Sequence, residues 1–68
     1  MIRSYVGTVV GNTTAVYKKG KQQVKKIESN GFFCVEVEGD KFKEIYFSKS
    51  EEEIDKWLKD NFYMKVEV

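Results

Sequence analysis

The dipeptides Asn30-Gly31 and Gly39-Asp40, with seven residues between them, constrain this chain more than anything else in it. Both suit two-residue hairpin loops, which demand positive φ, and such a loop fixes the register of the strands it joins. The spacing predicts a three-stranded antiparallel meander over residues 23–47. Across the first turn Ile27 is expected to face Cys34, Lys25 to face Glu36 and Val24 to face Val37. Across the second, the expected pairs are Glu38 with Lys41, Val37 with Phe42, Glu36 with Lys43, Val35 with Glu44, Cys34 with Ile45, Phe33 with Tyr46 and Phe32 with Phe47. This register lines up Lys25, Glu36 and Lys43 as a charged row on one face, and Val24, Val37 and Phe42 as an apolar row on the other. Each cross-strand pair contributes from a few tenths to about 1 kcal/mol, and a one-residue slip would destroy both rows.

Residues 21–30 admit a second reading, a short helix closed by Gly31. That helix would have only Val24 and Ile27 as an apolar side, and about ten residues is marginal without packing, so the strand is favoured. Upstream, "SYVGTVVGNTTAVYK" reads as a hairpin about Gly11-Asn12, pairing Val10 with Thr13 and Val6 with Tyr17. Downstream, "FSKSEEEIDKWLKDNF" reads as a helix. Ser50 and Glu53 form a capping box, and Glu51 and Glu52 place acid at the positive end of the dipole. Ile54, Trp57, Leu58 and Phe62 make one apolar stripe, expected to cover the sheet face of Val24, Phe33, Val35, Val37 and Phe42, with Trp57 buried at that contact. "YMKVEV" alternates as a final strand. The fold class is therefore α+β: a small bent antiparallel sheet or partial barrel, made of a hairpin plus the meander, with one helix packed on it and a short last strand. All 68 residues are expected to form one domain.

A chain of this length buries only about 60% of its unfolded surface, and its single cysteine, Cys34, excludes an internal disulfide. A lone thiol fits a reducing compartment. No targeting segment is read at the start, and no run approaches the roughly 18 apolar residues of a membrane span. A cytoplasmic protein without membrane partners is expected.

Catalysis has little to work with. There is no histidine, the usual general base near neutral pH. Cys34 is expected to be a small core residue beside Ile27 and Ile45, without the base or cation that makes a thiolate. Glu51, Glu52, Glu53 and Asp55 diverge around a helix start rather than converging on a metal. Gly7 and Gly11 flank a "GTVVG" that lacks the lysine-serine or lysine-threonine of a phosphate loop. No enzyme activity, metal or cofactor is expected.

Two features remain as binding candidates. Lys18, Lys19, Lys21, Lys25 and Lys26 crowd nine positions, with Tyr17 beside them. The first 31 residues hold six basic residues against one acid, the remainder six against ten, although the net charge is only +1. Such asymmetry suits a polyanion, with lysines on phosphates and the ring on a base. The plain alternative is that the lysines face the acids of the other half. The second feature is an apolar surplus, Phe32, Cys34, Ile45 and Phe47, at one end of the charged face. Either the N-terminal hairpin covers it or Phe32, Ile45 and Phe47 meet a partner. The expected function is a non-catalytic binding module. It would bind nucleic acid through the lysine-rich loop at 18–26, or a protein, as a small phage or mobile-element protein grips and modulates a host protein. Homodimerisation through a sheet edge is a further option.

The segment from Phe32 to Leu58, with an aromatic strand end at Phe47, a capped acidic start and then Ile54, Trp57 and Leu58, resembles the three-strand-plus-helix module of phage integrase arm-binding domains and plant ethylene-response domains. That resemblance implies DNA binding through the outer sheet face, which here carries Glu36 and Glu38. Five strands followed by a helix also resemble the SH3-like barrels of archaeal chromatin proteins, which are far more basic. The first resemblance covers under half of the chain.

Overall fold

In a computed structural model, described here over residues 2–66, the chain runs β1 (Arg3–Val6), β2 (Asn12–Lys19), β3 (Gln22–Ser29), β4 (Phe32–Glu38), β5 (Lys43–Ser48), α1 (Glu51–Asp60) and β6 (Met64–Val66). The six strands form one sheet in the order β1-β5-β4-β3-β2-β6, every pair antiparallel. The end strands β1 and β6 do not pair with each other, so the sheet is open. The α+β class read from the sequence is the one found.

The first turn behaves as expected. Asn30 and Gly31 both have positive φ, 50° and 81°. Residues 22–29 are strand, and Val24 faces Val37, Lys25 faces Glu36 and Ile27 faces Cys34. At the second turn the expected register is displaced by two residues. Glu38 faces Lys43, Val37 faces Glu44, Glu36 faces Ile45, Cys34 faces Phe47 and Phe33 faces Ser48. The turn is closed wider than a two-residue loop, with the Gly39 N–H donating to the Phe42 carbonyl at 3.1 Å. A shift of two keeps every side chain on its expected face. Phe42, however, leaves the strand and is exposed, so it does not join the apolar row. The Lys43–Glu36 pair survives diagonally, at 3.5 Å.

The larger correction concerns the N-terminus. The hairpin pairing Val10 with Thr13 and Val6 with Tyr17 does not form. Instead β1 crosses the sheet and pairs with β5, Arg3 opposite Phe47 and Tyr5 opposite Ile45. The strap of residues 7–11 between β1 and β2 lies over the outer face. There Val9 packs against Ile27, Cys34 and Ile45, together with Phe32 and Phe47. The apolar end is thus covered by the strap and not by a hairpin, and burying a large apolar side chain contributes about 1.5–3 kcal/mol. The strap is tied down where Ser29 Oγ donates to the Val10 carbonyl at 2.6 Å. It passes so close to β3 that a Cβ on Gly11 would stand 2.3 Å from the Glu28 carbonyl oxygen.

The opposite face takes the helix. Ser50 caps it, accepting from the Glu53 N–H at 3.4 Å, an interaction of the kind that contributes about 1 kcal/mol. Ile54 and Leu58 are fully enclosed against Val24 and Val35. Trp57 is only half-buried, its ring 4.7 Å from Tyr46 and 5.7 Å from Tyr63. Phe62 is not part of the stripe: the helix ends at Asp60, and Phe62 stands exposed at φ 64°. The expected final strand is β6, with Lys65 opposite Tyr17. Its last two residues lie outside the described residues.

Candidate interaction surfaces

The strand register splits the lysine cluster between the two faces of the sheet. Tyr17 faces Val24 and packs, partly buried, against the helix-side core, away from the outer face where Lys18 and Lys25 emerge. Lys19, opposite Gln22, turns to the same side and places Nζ 5.7 Å from the Tyr63 ring and 5.9 Å from Phe62. Lys26 is buried beneath the start of α1, its ammonium 2.9 Å from Glu51 and 2.7 Å from Asp55. It is held by two carboxylates one helical turn apart, and no phosphate could reach it without breaking them. Lys18 and Lys25 emerge on the outer face, Lys25 beside Glu36, and Lys21 stands in the turn with Gly20. The basic run therefore keeps four exposed cations but divides them, Lys18 and Lys25 on the outer face, Lys21 in the turn and Lys19 on the helix side, so it is not a continuous stripe.

Cys34 is buried, and burial pushes its thiol pKa up, which disfavours the thiolate a nucleophile needs. Among the described residues no three acidic or thiol side chains are gathered as a metal site would require.

The apolar surplus is partly covered, and unevenly. Ile45 is wholly enclosed and offers nothing to a partner. Phe32 and Phe47 remain half-buried, stacked edge to face at 5.8 Å, with Tyr5 edge-on to Phe47 at 5.6 Å. These rings line two cavities. One, of about 600 Å³, is bounded also by Arg3, Ser48, Lys49, Ser50 and Glu53. The other, of about 240 Å³, is closed by Tyr5, Val9, Ser29, Asn30 and Cys34. Lys49 Nζ lies 5.6 Å from the Phe32 ring. Neither Arg3 nor Lys49 makes an ion pair with a described residue. Two cations thus flank an aromatic floor, with Glu53 on the same wall, a setting suited to a group that is acidic and apolar by turns.

Arg3, Tyr5 and Lys49 were not among the sequence candidates. Arg3 and Tyr5 reach Phe47 only because β1 crosses to β5, a pairing that no local turn signal encodes. Comparison with known proteins adds no relative: no protein-family model, no curated protein and no solved structure matches the chain.

Proposed function

We propose that this chain is a non-catalytic binding module that engages a protein partner through its aromatic end, at Phe32 and Phe47. The observation that carries the reading is the cavity of about 600 Å³ in which those two rings meet Arg3 and Lys49, neither in an ion pair with a described residue. Aromatic and Arg side chains in a pocket are the usual anchors of protein interfaces.

A second reading keeps nucleic acid as the partner, carried by Lys18, Lys21 and Lys25. Its support is that Lys18 and Lys21 are exposed and make no ion pair with a described residue. One experiment separates the two. The immobilised chain is used to capture protein from a nuclease-treated lysate, with wild type, an Arg3→Glu/Lys49→Glu variant and a Lys18→Gln/Lys21→Gln/Lys25→Gln variant. The first reading expects capture to survive nuclease and the lysine changes, and to vanish with Arg3→Glu/Lys49→Glu. Capture that vanishes with nuclease and with the glutamines would favour nucleic acid. Direct titration of DNA should then show the log K against log salt slope falling by about 0.9 for each phosphate that the glutamines no longer neutralise.

A further inference from the structure

We infer that β1 is a docking edge at which an extended, acidic segment of the partner adds as a seventh strand. This rests on the aromatic end being the contact surface, and it names the form and charge of what binds there. The Gly7 N–H donates to the Lys43 carbonyl across the β1–β5 pair at 3.0 Å. Because successive residues of a strand point their backbone groups to opposite sides, Tyr5 and Arg3 also turn theirs toward β5. Ser4 and Val6 then direct their N–H and C=O away from the sheet.

Native edges are commonly blunted by proline, lysine, a bulge or a covering segment. β1 has none of these in Arg-Ser-Tyr-Val, its four residues are all exposed, and Tyr5 and Val6 add exposed apolar surface. Its shortness and the charge of Arg3 are the protection it carries. The same strand places Arg3 opposite Phe47, on the outer face, in the wall of the larger cavity. A strand laid along β1 would therefore send alternate side chains to the outer face beside Arg3 and Tyr5, as strand addition does when pockets supply its specificity. A carboxylate there meets Arg3 and Lys49, and an apolar neighbour meets Tyr5 and Phe47. Arg3 and Lys49 outnumber Glu53 in the cavity wall, and that excess of positive charge selects an acidic segment over a basic one.

The test uses a synthetic peptide, acetylated and amidated at its ends, in which glutamate alternates with valine and phenylalanine, and a counterpart with lysine for glutamate. Binding is followed by amide NMR shifts and amide exchange on the whole chain. The acidic peptide is expected to perturb Arg3–Val6 and to slow exchange of the Ser4 and Val6 amides, while the lysine peptide does neither. Ser4→Pro removes one outward N–H while leaving the β5-facing groups intact, and should weaken binding about tenfold. Arg3→Glu/Lys49→Glu should do the same.

Failure of the acidic peptide to protect those amides at millimolar concentration overturns the inference, as would equal binding of both peptides. So would self-association that Ser4→Pro abolishes, which would make the occupant a second copy of this chain. If capture of partner protein is lost in Arg3→Glu/Lys49→Glu yet untouched by Ser4→Pro, strand addition is wrong and the aromatic-end reading stands.

Discussion

Lys26 carries its charge into the contact between sheet and helix, and it is the residue where the reading of a basic patch departs furthest from what the chain does with it. Burial by itself pulls its pKa down, but the hydrogen bonds and charges of Asp55 and Glu51 outweigh that, and the pKa ends above the ordinary lysine value. A group whose pKa rises on folding stabilises the fold fully below its unfolded pKa, about 10.4, and loses that contribution as the pH climbs through the folded value. Urea unfolding of wild type and Lys26→Met, measured from pH 7 to 11, should therefore show wild type losing stability relative to the variant only above about pH 10. At neutral pH Lys26→Met should be close to neutral, because Glu51 and Asp55 are half-exposed and stay solvated without the ammonium, while the apolar side chain fills its buried place. Glu51→Gln/Asp55→Asn is the opposite case. It leaves the ammonium buried without a carboxylate and should cost about 3 kcal/mol. Equal losses for the two variants would contradict this assignment.

At the scale of elements, the strap of residues 7–11 decides the topology, and Gly11 is its tightest point. An added Cβ would collide with the Glu28 carbonyl and lie 2.9 Å from both Ile27 Cγ2 and Ser29 Cβ. Gly11→Ala is expected to cost about 1–3 kcal/mol, the range for overpacking, as a lower urea midpoint at unchanged slope. The elements with short-range signals were legible in the sequence. Asn30-Gly31 gave the β3–β4 register, and Ser50 with Glu53 gave the start of α1. The width of the Gly39–Phe42 turn was not legible, since Gly-Asp is compatible with more than one loop length. Gly11-Asn12 misled for a different reason. It has the composition of a hairpin turn, but covering Ile27, Cys34 and Ile45 across the sheet outweighs a local pairing. The same crossing hid Arg3 and Tyr5 from the candidate site, and register alone dispersed the lysines that look contiguous in the chain.

The whole molecule is a sheet clothed on both sides, with the helix on one face and the strap on the other. Its two buried clusters, Val24 with Val35, Ile54 and Leu58, and Ile27 with Cys34 and Ile45, draw alternate residues from the same central strands. Neither cluster can lose its packing while β3, β4 and β5 stay paired as they are. A single cooperative transition is expected. Trp57 reports on the helix side and Cys34 on the strap side. Trp57 fluorescence and pulsed alkylation of the Cys34 thiol should give the same midpoint in urea. Separate midpoints would mean that the strap opens on its own.

The crossing of β1 also sets an order in time. Strands β2 to β5 follow one another through short turns and close with little loss of chain entropy, whereas β1 must find β5 across about forty residues of chain, the kind of distant pairing that slows folding. The four-strand meander therefore assembles first, and the far-edge strand arrives after the rate-limiting barrier. In stopped-flow experiments read by Trp57, Tyr5→Ala should speed unfolding and leave refolding unchanged, while Val35→Ala should slow refolding. Until β1 docks, the free edge belongs to β5, so a newly made chain passes through an interval in which its most adhesive surface is a different strand from the one the finished molecule presents.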